Sequence, residues 1–137
     1  MQKSFQLIHV TVDNGEPKRQ YWDFVVSGES LQKYLRAGGV TQLGYFPNKS
    51  QERTFLRQLR MQEKSELVDR RVEIYVCSEC GDIGCGAVTV RIEDHGDRII
   101  WKDFAHQSDP EYVGELIDVE PLEFDRESYF KALAHFK

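Results

Sequence analysis

The stretch VEIYVCSECGDIGCGAVTVRIEDHGDRIIWKDF, residues 72–104, decides the reading of the fold. Val72, Ile74 and Val76 alternate with Glu73, Tyr75 and Cys77, and Val88, Val90 and Ile92 alternate with Thr89, Arg91 and Glu93. A period of two marks a strand with one face on a core and one toward water. His95-Gly96-Asp97 reads as a tight turn, and Arg98–Phe104 (RIIWKDF) as the strand that follows it. The three segments predict a continuous antiparallel meander. Val88, Val90, Ile92 and one of Ile99 or Ile100 are its expected buried residues.

Working outward toward the N-terminus, Phe5–Val12 (FQLIHVTV) and Gln20–Val26 (QYWDFVV) read as two more strands. Asn14-Gly15 supplies a turn signal between them, so they predict a β-hairpin. Ser27 or Ser30 can cap a short helix over about Glu29–Ala37, with Leu31, Tyr34 and Leu35 on one face and Gly38-Gly39 as its stop. Asn48 or Ser50 opens a second helix near Gln51–Lys64 that packs through Phe55, Leu56 and Leu59. Arg53, Arg57 and Arg60 form a separate stripe on it. They read as solvated arginines, or as partners for the chain's own acidic half, rather than as a nucleic-acid contact.

Residues 105–121 carry no clean period and contain Pro110 and Pro121. They read as an acidic loop with a short strand near Leu116–Val119. Asp125 caps a last helix through about Phe136, with Tyr129, Phe130, Leu133 and Phe136 toward the core. The sum is one α+β domain over 1–137. It has an antiparallel sheet of five to six strands and two to three helices, one of them C-terminal. A chain of 137 residues can bury a core large enough to need no disulfide or metal staple.

All three cysteines, Cys77, Cys80 and Cys85, fall in the loop between the first two meander strands. Three readings of that loop stay open. In the first it is structural: Gly81, Gly84 and Gly86 adopt positive φ, Asp82 accepts loop N–H groups, and the thiols act as small buried hydrophobes. In the second, Cys77-x-x-Cys80-Gly81 is a zinc knuckle with Cys85 as a third ligand, although a structural site needs four. His95 and His106 are the downstream imidazoles, and neither shows ligand spacing. In the third the loop does thiol redox chemistry. Against that, no helix follows Cys80, and Glu79 and Asp82 should raise the thiol pKa. His9 in a strand and His135 on the last helix read as packing or surface residues. No G-x-S-x-G, H-E-x-x-H or P-loop pattern occurs.

The pattern C-x-x-C-G-D-x-G-C-G, followed by a strand, a turn and Trp101-x-Asp103-Phe104, resembles a group of small uncharacterised bacterial proteins. The likeness runs over about 60 residues, from Val76 into the terminal helix. It implies a specified loop and carries no activity over.

Charge is divided unevenly. Residues 1–71 hold 12 Lys+Arg against 8 Asp+Glu, whereas residues 72–137 hold 6 against 15. Between Asp103 and Glu127 nine acids face one base, Arg126. Such a field steers basic partners. The leading expectation is therefore a non-enzymatic, acidic protein-binding module, of the kind of an immunity-type inhibitor of a bacterial toxin. Asp109, Glu111, Glu115, Asp118 and Glu120 would meet the basic protein partner. The rival expectation is a small zinc-binding or thiol-dependent protein centred on Cys77–Cys85. Three cysteines and no apolar stretch of export or membrane-spanning length point to a cytoplasmic protein with reduced thiols.

Overall fold

A computed structural model describes residues 2–12, 18–134 and 136. The meander forms as expected: β4 (Val72–Val76), β5 (Ala87–Asp94) and β6 (Arg98–Gln107) pair antiparallel in chain order. Val88, Val90 and Ile99 are buried. Ile92 is only partly buried and packs at the margin of the core, which corrects its expected place among the buried residues.

Two bulges break the simple alternation. The β4–β5 register slips between Glu73 and Tyr75, so Ile74 and Tyr75 both reach the main core. Val76 then turns to a second cluster with Tyr21, Val40, Tyr45 and Ala87. The β5–β6 register slips between Thr89 and Arg91, and Asp103 on β6 takes φ +55° there. A bulge adds one residue to one strand and so changes which face follows. Trp101 and Phe104 can therefore both be buried, although their spacing of three gives them opposite faces of a regular strand. The Arg71 guanidinium, itself buried, holds this bulge by donating to the carbonyls of Thr89 and Asp103 and to Thr89 Oγ1.

The N-terminal hairpin also forms, with β1 (Phe5–Val12) against β2 (Arg19–Val26) and Phe5 opposite Val26. The short β3 (Glu29–Ser30) extends it. β2 is buried on both faces from Phe24 to Val26 and also at Tyr21 and Asp23. Asp23 is a carboxylate inside the protein, and it is satisfied there. It accepts from the Tyr75 hydroxyl at 2.5 Å, the Ser30 hydroxyl at 2.6 Å and the Phe24 N–H at 2.8 Å. The expected turn at Asn14-Gly15 and His135 lie outside the described residues.

The strands divide between two antiparallel sheets, β1–β2–β3 and β4–β5–β6–β7. β7 (Leu122–Asp125) pairs with β6 just after Pro121 and was not expected from sequence. The expected strand near Leu116–Val119 is reduced to an isolated bridge from Leu116 to Ala105. One core joins the sheets through an aromatic cluster. Phe5 and Phe24 from the first sheet meet Trp101 and Phe124 from the second, at centroid distances of 4.9–5.7 Å.

The helices begin where capping predicts. Ser30 caps α1 (Leu31–Leu35), Asn48 caps α2 (Lys49–Leu59) and Asp125 caps α3 (Arg126–Leu133), each through its side-chain oxygen. α1 and α2 stop short of their expected ends, because Arg36 takes a left-handed conformation and Arg60 leaves the helical region. Leu31 and Leu35 are buried, while Tyr34 is exposed. Of the arginine stripe, Arg57 pairs with Glu63 at 2.9 Å. Arg60 donates to the carbonyls of Leu133 and Phe136 at the end of α3, which satisfies helix-terminal acceptors. Among the described residues no helix is long and apolar enough to cross a membrane.

Candidate metal centre

The loop between β4 and β5 gathers the sulfur atoms of Cys77, Cys80 and Cys85 to within 4.8 Å of one another. Cys80 and Cys85 are exposed and Cys77 is half-buried, which corrects the expectation of small buried hydrophobes. The convergence has local causes. Cys77-Ser78-Glu79-Cys80 makes a turn closed by the Gly81 N–H on the Cys77 carbonyl at 2.8 Å. Gly81 holds φ +68°, where a side chain is strained, and a Cβ there would also press on Phe46 and Gln51. Asp82 then accepts from the Gly84 N–H at 3.2 Å, as expected, and starts a single 3-10 turn, Ile83–Cys85. Gly86, at φ +94°, ends that turn and leads into β5. The chain reverses twice in ten residues, and the reversals bring the three sulfurs together.

Backbone N–H groups also face the sulfurs. Those of Cys80 and Glu79 hold the Cys77 thiol below its ordinary pKa. The Asp82 N–H approaches Cys80 Sγ at 3.5 Å. Cys85 shifts the other way, up to about 12, because it shares a hydrogen bond with Cys80, is partly desolvated, and feels the charge of Cys80 and Cys77. The carboxylates of Glu79 and Asp82, expected to raise the thiols, are not among the causes of either shift; Glu79 acts only through its backbone N–H, which lowers Cys77. Three close sulfurs cannot all ionise without a cation among them.

The geometry suits one soft or borderline cation. Zn–S bonds of about 2.3 Å in a tetrahedron set sulfurs about 3.8 Å apart. The Cys80 and Cys85 sulfurs stand at 2.7 Å, so they would separate by about 1 Å around such an ion. No fourth His, Asp, Glu or Cys side chain joins the cluster among the described residues. His95 sits at the far end of β5, in the turn to β6, and accepts or donates a 2.9 Å hydrogen bond with Glu93.

His106 is different. It pairs with Val88 and so lies at the same end of the sheet as the cysteine loop. A groove of about 500 Å³ opens there, lined by Cys77 and Cys85 together with His106 and Glu115. Gly38, Gly39, Ser108 and Gly114 line it as well. Sequence reasoning found the three cysteines but missed their meeting with His106 and Glu115. The signal was the hairpin register: pairing β5 with β6 sets His106 three residues beyond Cys85, across the ladder.

The five acidic residues expected to meet a partner, Asp109, Glu111, Glu115, Asp118 and Glu120, are all exposed. The structure does not gather them into one site. They follow a strap, residues 108–121, fastened to β6 by hydrogen bonds from His106 N–H to Glu115 O and from Ile117 N–H to Phe104 O. Tyr112 and Leu116 stand among them at 71% and 59% exposure. No family model matches this chain, and comparisons with curated proteins and with solved structures find no match.

Proposed function

We propose that this chain is a small zinc-thiolate protein, with Cys77, Cys80 and Cys85 as the metal-holding residues. One observation carries the reading: the three sulfurs converge within 4.8 Å although two of the thiols are exposed, and backbone N–H groups face them. Cysteines used as hydrophobes are buried. Two of these are exposed, and the third is half-exposed. Metal binding would release the protons that the cluster otherwise shares, and would lock the loop. The fold has its own aromatic core, so the metal would order a site rather than hold up the domain. Free thiols of this kind persist in a reducing compartment, which supports a cytoplasmic location.

The test is metal analysis of full-length protein purified under reducing conditions. One zinc per chain, lost together with thiol protection in Cys80→Ser, is the expected result. Sub-stoichiometric zinc that washes off in dilute buffer would refute the reading.

A second reading concerns the strap and keeps the expectation of a basic protein partner. It is favoured by Tyr112 and Leu116, apolar groups exposed between carboxylates, since protein interfaces combine such anchors with a charged rim. On that reading the strap is the contact face of an acidic, immunity-type binding module. The zinc loop and the strap share the groove at Glu115, so the two readings are compatible.

A further inference from the structure

The geometry points to an open fourth coordination position at the cysteine cluster, facing the groove, and we infer that its ligand is a small thiol, neutral or cationic. The inference rests on the zinc reading above and adds what that metal would take up.

Zinc is four-coordinate in proteins, and sites with three protein ligands keep the fourth place for water or substrate. The cluster offers three sulfurs, and no other ligating side chain joins them among the described residues. Cys77 and Cys85 both line the groove, so a fourth ligand can reach the cluster from that side. Glycines 38, 39, 86 and 114 line it as well, leaving backbone rather than side chains around the opening. Gly39 and Gly114 have no room for a side chain: a Cβ would collide with the Val76 carbonyl at the first and the His106 carbonyl at the second. The groove is therefore held open by close backbone packing.

The ligand class follows from softness and charge. Three thiolates make the ion soft and weaken it as a Lewis acid toward oxygen, which favours sulfur as the fourth donor. A zinc ion with three thiolates carries a net charge of about −1, and Glu115 adds to it on the groove wall. Beyond the charge of the coordinating thiolate itself, a ligand bringing further negative charge is disfavoured. As the thiol binds, its S–H bond breaks, a Zn–S bond forms, bound water leaves, and the proton passes to solvent. No electrons are transferred. The product is a thiolate held at an open groove beside His106.

The test loads the full chain with Co²⁺ and reads the thiolate-to-cobalt charge-transfer band. Added 2-mercaptoethanol should raise that band saturably by about a third, as a fourth sulfur joins three. The anionic 2-mercaptoethanesulfonate should bind roughly two- to fivefold more weakly, and Glu115→Gln should close the gap. A band present but indifferent to millimolar thiol overturns the inference and leaves the zinc reading standing. So does His106→Ala if it weakens cobalt binding tenfold, because the imidazole would then be the fourth ligand. One cobalt per two chains with a four-sulfur band also overturns it, since a second copy would close the site. Absence of any charge-transfer band removes the zinc reading itself.

Discussion

The cysteine loop and the acidic strap are both irregular, both exposed and both border one groove, yet they are built differently. In the loop, two turns within ten residues aim three side chains at a common point, and main-chain N–H groups face the sulfurs. In the strap, the backbone is tied to β6 while five exposed carboxylates stay dispersed, with Asp109 accepting from the Glu111 N–H and Glu115 on the groove wall. Convergent polar atoms raise each other's electrostatic cost, and that cost falls only when a counter-ion arrives. Dispersed carboxylates carry no such cost, so they need no ligand to be stable. The difference separates a site from a charged surface. It is visible only because the loop and the strap can be seen on the same sheet end.

The sharpest break in this comparison is Cys80→Ser. It removes a direct ligand, so zinc affinity should fall by more than the 10- to 100-fold typical of outer-shell partners. The far-UV spectrum should stay native, because the aromatic core does not include the loop. A competition titration against a chromophoric chelator measures the first, and circular dichroism the second. If unfolding accompanies metal loss, the loop is part of the core's stability and the two regions differ less than described.

Next in size is Gly114→Ala, which attacks how the strap is anchored. The new Cβ would meet the His106 carbonyl, and overpacking of this kind costs about 1–3 kcal/mol. Denaturant melts should show that loss with zinc stoichiometry unchanged. Equal stability in the variant would mean that the strap is not fastened where the structure places it.

Glu73 lies behind the loop and tests whether Asp82 and burial act on it together. Its Oε1 is buried without a hydrogen-bond partner, and burial, followed by the charge of Asp82, raises its pKa. A carboxyl with a raised folded-state pKa favours folding in its protonated form. That stabilisation is complete below the unfolded value of about 4.3 and is lost as pH rises through the higher folded value. Glu73→Gln should therefore melt above the wild type at pH 7, and the gain should shrink toward pH 4. A gain that is independent of pH would assign the effect to packing instead.

The smallest expected effect on folding belongs to the strap's charges. Asp109→Asn, Glu111→Gln and Asp118→Asn together should change stability by no more than about 0.5 kcal/mol, as exposed substitutions do. Against a basic protein partner the same triple variant should associate more slowly and with a flatter salt dependence. Stopped-flow association at two ionic strengths reads this. An unchanged rate would leave the strap as ordinary solvated surface.

What the amino-acid sequence determined by itself is local. Alternation predicted β2, β4 and β5, since it records a half-buried ladder; β-branched and apolar content predicted β1, and the His95-Gly96-Asp97 turn predicted β6 after it. Ser30, Asn48 and Asp125 predicted the helix starts, because a cap needs only a side-chain oxygen within three residues of the N–H it serves. The spacing of Cys77, Cys80 and Gly81 marked a specified turn for the same reason. Only the tertiary structure decided the remainder. The bulges at Glu73/Tyr75 and Asp103 depend on partners across the sheet, so the burial of both Trp101 and Phe104 and the partial exposure of Ile92 could not be read from alternation. β7, only four residues long and directly after Pro121, takes its identity from hydrogen bonds to β6. His106 and Glu115 line one groove with Cys77 and Cys85 because of a strand register and a fastened strap. Such long-range pairings bring together residues that no single window of sequence contains.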